Sequence, residues 1–170
     1  MLDRLPILID PLSFAERGKR LLGTIKINEL SRLSEVLLDN SGEIEVDLAF
    51  DKEGRVPVIV GKIKANLIAE CQSCLKQVVL PIDKHFKLGM VTSEEQADRL
   101  AGECEPLFLQ DEKVSLNELV EDELLLALPD FPKHSDVCVE RGRDEAVNEH
   151  EEIDSNNPFS VLAKLKNTGD

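Results

Sequence analysis

Two cysteines, Cys71 and Cys74, stand between two long apolar runs, Val56–Ala69 and Val78–Val91. Both runs are rich in branched aliphatics, so each reads as a strand. A C-x-x-C that joins two strands holds both thiols on one tight turn, the geometry of a metal knuckle or a redox pair. The chain has one further matching element, His134-Ser135-Asp136-Val137-Cys138. Cys71, Cys74, His134 and Cys138 together are enough to close a tetrahedral zinc site. Two ligands on a turn do not hold zinc tightly by themselves, so the alternative is a knuckle whose thiols are simply packed. A thiol redox pair is a third reading. It lacks the usual setting, a C-x-x-C that opens a helix after a parallel strand.

The strands extend on the N-terminal side of the knuckle. In Glu43–Phe50, Ile44, Val46 and Leu48 alternate with Glu43, Glu45 and Asp47, the pattern of a half-buried strand in an antiparallel sheet. Asp51-Lys52-Glu53-Gly54 reads as a hairpin turn, so three strands form a meander. Pro57 and Pro81 cannot donate to a ladder and are expected at an edge, a bulge or a strand start. Leu5–Ile9 and Leu22–Ile27 are further strand candidates. Ser13-Phe14-Ala15-Glu16 has the form of a capping box for a short helix or turn through Arg17–Leu21, and Asn28 suits the cap of a helix carrying Leu30, Leu33, Val36 and Leu37. Another short helix is expected from Ser93 to Ala101.

The central helix is predicted over Ser115–Leu128. Ser115 and Glu118 form a second capping box, and Leu116, Leu119, Val120, Leu124, Ala127 and Leu128 recur at helical spacing until Pro129 stops the run. Glu118, Glu121 and Asp122 fill the other side, where they are either a solvated face or a docking face for a basic protein. Glu123 falls among the apolar positions and is expected to flank the buried stripe, paired with a Lys or Arg. The expected fold class is α+β: an antiparallel meander or partly closed barrel with packed helices, in one domain over residues 1–139. Residues 140–156 are acidic and poor in aliphatics, the composition of a disordered linker. Residues 157–170 regain a pattern, a short amphipathic helix with Phe159, Val161, Leu162 and Leu165 on one face and Asn157-Pro158 at its start. Phe159, Leu162 and Leu165 therefore bind a partner or dock back on the domain.

Composition excludes several functions. Six Phe with no Trp or Tyr do not make a stacking platform for single-stranded nucleic acid. A net charge of −14 opposes a phosphate backbone and attracts basic partners, ribosomal proteins among them. Lys62, Lys64 and Lys76 are the residues an alternative RNA-binding surface would use, although strand lysines more often protect edges and aid solubility. Cys104 and His85 have no evident partner. No nucleophile elbow, phosphate-cradling glycine loop or H-E-x-x-H is present, and the carboxylates need no chemistry, so no enzyme and no small-molecule substrate is expected. No apolar run reaches membrane-spanning length, and Met1–Asp10 does not read as a signal peptide, so a cytoplasmic protein with reduced thiols is expected.

In order along the chain, the Cys71–Leu75 turn, the stretch from Val120 to Pro129 followed by His134, and Asn157–Lys166 resemble the bacterial YceD-type large-subunit ribosomal RNA accumulation proteins. The likeness runs from Leu5-Pro6 to Leu165-Lys166. It implies a role in ribosome production, supporting accumulation or processing of 23S ribosomal RNA, with a large-subunit ribosomal protein or the pre-ribosome as partner. It implies no enzymatic reaction. Some relatives carry a second C-x-x-C after the long helix, where this chain has His134 and Cys138.

Overall fold

The computed structural model describes residues 3–100, 102 and 104–138. The chain forms two compact units, Met1–Asp136 and Val137–Asp170. In the second unit only Val137 and Cys138 are described, both exposed. The expected linker and C-terminal helix lie outside the described residues.

The first unit is α+β. Its strands are β1 (Asp3–Arg4), β2 (Leu8–Ile9), β3 (Arg20–Lys26), β4 (Glu43–Glu53), β5 (Val56–Glu70), β6 (Gln77–Val91), β7 (Glu105–Phe108) and β8 (Val114–Ser115). Its helices are α1 (Pro11–Glu16), α2 (Ser31–Val36), α3 (Glu94–Ala97) and α4 (Leu116–Ala127). Six strands form one open sheet in the order β1-β3-β4-β5-β6-β7, not a closed barrel, and β2 pairs with β8 in a small second sheet. The predicted meander is its centre: β4, β5 and β6 pair antiparallel, with Val46 opposite Ile63 and Ile63 opposite Lys84. Parallel additions close both sides, β1 on β3 and β7 on β6.

Alternation decides which face is buried. Ile44, Val46, Leu48 and Phe50 of β4 and Ile59, Ile63 and Leu67 of β5 are at most 1% exposed. They share one face of the sheet because side chains alternate with period two. Helices α1, α2 and α4 cover that face with Ala15, Leu33, Leu116, Val120 and Leu124. Each large side chain so buried contributes about 1.5–3 kcal/mol. Gly61 lies opposite Phe86 in the β5–β6 register, and a Cβ there would meet the Phe86 ring at 2.1 Å. The missing side chain leaves the space that the tip of the ring occupies.

Local signals resolve differently in the short elements. Helix α1 starts at Pro11, capped by Asp10, whose carboxylate accepts the Ser13 N–H at 2.9 Å, and it ends at Glu16. Helix α2 is entered through a 3₁₀ turn, Ile27–Glu29, and Leu30 at its N-cap makes no side-chain cap bond. Burial of Leu30 at 0% exposure sets that entry in place of Asn28. Helix α3 is a single turn that stops at Ala97. Helix α4 follows the expected capping: Ser115 Oγ accepts the Glu118 N–H at 3.3 Å, and Leu128 stands at the C-cap before Pro129.

Glu123 departs from expectation. It is 4% exposed, and its Oε2 has no hydrogen-bond partner among the described residues. Lys84 on β6 is the cation nearest in influence, but no ion pair forms between the two among the described residues. Burial raises the Glu123 pKa, with Glu105 and Asp122 adding to the effect and Lys84 opposing it. Among the described residues no helix is long and apolar enough to cross a membrane.

Candidate metal centre

The β5–β6 hairpin is longer than the sheet around it. Its pairing continues to Glu70 opposite Gln77, while β4 stays with β5 only as far as Lys64. Cys71–Lys76 form the turn at its far end. The Cys71 N–H donates to Lys76 O and the Leu75 N–H to Cys71 O, both at 2.8 Å. Closing this turn requires positive φ at Leu75, +57°, a region that non-glycine residues rarely enter. The result is a tight knuckle with Cys71 fully buried and Cys74 half-buried.

The chain leaving α4 runs to the same tip. The Gln72 N–H donates to Pro132 O at 2.8 Å, and two residues later His134 places its ring beside Cys74, Nδ1 to Sγ 3.6 Å. His134 Nε2 lies 3.0 Å from Gln77 O. A carbonyl can only accept, so Nε2 carries the proton and Nδ1 presents its lone pair toward the sulfur. A backbone carbonyl that fixes the tautomer in this way is the usual support of a metal-bound histidine. The donor atoms of Cys71, Cys74 and His134 lie within 4.8 Å of one another. Ligands of a tetrahedral zinc, with bonds of about 2.0–2.3 Å, sit roughly 3.5–4 Å apart, so a small contraction suffices and this cluster can hold a metal ion.

Electrostatics favours the ligand form. Burial pushes the Cys71 thiol up. The amides of Cys74, Ser73 and His134 and the Cys74 thiol all pull it down, and they prevail, leaving it at about 5. Backbone N–H groups aimed at the sulfur stabilise the thiolate, the form a metal takes. Cys138 is exposed and follows His134 by four residues, a tether of at most about 14 Å.

The other anticipated residues are more dispersed. Of the three acids on α4, Glu118 is exposed. Asp122 is 59% exposed and pairs with Arg32 at 2.7 Å. Glu121 is turned inward at 3% exposure, taking Arg32 Nε at 2.8 Å and the Leu33 N–H at 3.0 Å, and so ties α2 to α4. Lys62 and Lys64 share the outer face of β5, but Asp83 lies 3.4 Å from one and 3.7 Å from the other, with His85 at 3.3 Å. Desolvation pushes Asp83 up, but Lys62, Lys64 and His85 pull it down by more. Lys76 is exposed in the knuckle, about 20 Å along the hairpin from Lys64 at the rise of a strand. Phe159, Leu162 and Leu165 lie outside the described residues. Sequence reasoning did not single out Gln77 and Pro132, which act through backbone carbonyls that carry no side-chain signal, or Arg32.

A family model described as "Large ribosomal RNA subunit accumulation protein YceD" matches residues 59–166. The span holds β5 from Ile59 onward, the knuckle, β6, α4 and His134. A Haemophilus influenzae protein of the same description is 33% identical over 168 residues, covering 96% of this chain and 97% of the relative. No solved structure matches. With a family match over more than half the chain and a relative aligned along nearly all of it, the chain belongs to the YceD family of large ribosomal RNA subunit accumulation proteins.

Proposed function

We propose that this chain supports accumulation of large-subunit ribosomal RNA in the cytoplasm by binding a basic large-subunit ribosomal protein or the pre-ribosome that contains it. The family description names the process, and the net charge of −14 is the observation that favours a basic protein partner over naked RNA. Glu118 and Asp122 on α4 are the exposed acids of the docking face; Phe159, Leu162 and Leu165 of the tail are a second, separate contact for a partner. Direct RNA contact through Lys62, Lys64 and Lys76 has less support, because Asp83 offsets two of the three. The reading involves no chemical step and no small-molecule substrate.

Cys71, Cys74 and His134 would hold zinc, and the sequence offers Cys138, four residues after His134, as the donor that closes such a site. Zinc held this way contributes folding free energy and offers no open position to a substrate.

Two measurements test the proposal. Cells lacking the protein are expected to show a selective fall in the ratio of large- to small-subunit ribosomal RNA; an unchanged ratio under several growth conditions sinks the assembly role. With purified large-subunit proteins, binding is expected to weaken as salt rises, and Glu118→Lys with Asp122→Lys is expected to cost about tenfold or more, as rim charges act through steering and complementarity. Binding insensitive to both salt and charge reversal overturns the docking face.

A further inference from the structure

We infer that the Cys/His site is a clasp, whose occupancy fastens residues 129–134, the chain that leaves α4, to the knuckle of the β5–β6 hairpin. This rests on the zinc reading above and assigns the site a task.

The far half of the hairpin is held by its own apolar face: Leu67, Ala69, Cys71, Val78 and Leu80 are each at most 9% exposed and belong to the core. That face, more than strand pairing, keeps it in place, since beyond Lys64 β4 no longer pairs with it and a two-stranded ribbon alone is marginal in water. Residues 129–134 have no such anchor: Leu128 packs on the core, but Phe131 beyond it is 71% exposed, and Leu75 on the knuckle is 68% exposed. Burial of these two side chains therefore does not fasten the segment to the knuckle.

What joins them is short-range and polar. The Gln72 N–H to Pro132 O, His134 Nε2 to Gln77 O, and the approach of His134 Nδ1 to Cys74 Sγ connect residues about sixty apart in sequence. Water offsets most of what such exposed hydrogen bonds contribute. A few of them do not offset the entropy lost in ordering 129–134. A metal bond between Cys74 and His134 closes that long loop directly, and free energy of metal binding is then spent on local order.

Hydrogen exchange on the full chain tests this, comparing zinc-loaded protein with protein stripped by a chelator, with zinc content measured on each sample. With zinc, peptides covering 71–76 and 129–134 are expected to exchange at least tenfold more slowly, while those covering 44–50 and 59–63 are unchanged. His134→Cys is expected to keep both zinc and the protection, and His134→Ala to lose both. Failure to take up zinc overturns the zinc reading and the clasp with it. Zinc bound with no change in protection overturns the clasp alone. Protection that rises equally through β4 and the near half of β5 also overturns it, since the metal would then stabilise the whole unit.

Discussion

Glu121 and Glu123 are two residues apart on α4 and both almost fully buried, yet their situations are opposite. Glu121 has a guanidinium and an amide; Glu123 has an unpartnered Oε2. Positions two apart on a helix point in nearly opposite directions, so both are buried only because α4 is covered on two sides, by α2 and by β6. Glu123 with its raised pKa is therefore a local cost at neutral pH. The protonated form is the one folding favours, so its stability is present below the unfolded-state value of about 4.3 and is lost as pH rises through the folded value. Glu123→Gln is expected to stabilise the protein near pH 7 by on the order of 1 kcal/mol, a typical penalty for a buried polar atom left unbonded. The gain should shrink toward zero below about pH 4. Denaturant titrations of both proteins across this range check it; a loss of stability at pH 7 would mean that the carboxylate is engaged after all.

Among the elements, the centre of the fold was legible in the sequence and the periphery was not. Alternation in β4 and helical spacing in α4 are long enough for burial and propensity to agree, and both elements formed where their patterns predicted, except that β4 runs on to Glu53 and the expected turn Asp51–Gly54 shrinks to Gly54-Arg55. In α1 two start signals overlap, and Asp10-Pro11 wins because it supplies a cap and a proline at the first turn. The pairings of β1, β2, β7 and β8 are set by partners far along the chain, which local patterns do not encode. The metal centre divides in the same way: the C-x-x-C knuckle is a local signal, whereas its meeting with His134 depends on where α4 delivers the chain. The register itself makes a prediction at Gly61. Gly61→Ala forces the Phe86 ring to move and is expected to cost about 1–3 kcal/mol by overpacking. Gly61→Ala with Phe86→Leu should recover part of that loss, since the two sites share one space. Additive losses in unfolding experiments would show that the contact does not govern the pair.

At the scale of the molecule, 34 acidic and 20 basic residues place a long-range negative field around a fold whose ion pairs are mostly exposed. The same field has two consequences of opposite sign. Within the folded chain like charges repel, and salt relieves that repulsion. Toward a basic partner the field attracts, and salt weakens the attraction. Raising monovalent salt from about 20 to about 200 mM shortens the screening length from roughly 20 to 7 Å, enough to silence the field between most surface charges. The unfolding midpoint is then expected to rise by about 2–4 °C, corresponding to about 1 kcal/mol for a chain of this size. Over the same interval affinity for the basic partner should fall. Exposed pairs such as Arg32–Asp122 contribute little and are screened too, so they do not reverse the sign. A midpoint that falls with salt would mean that attraction between neighbouring charges outweighs the net repulsion. In that case the acidic surface is locally neutralised, and it has little field left with which to draw in a basic ribosomal protein.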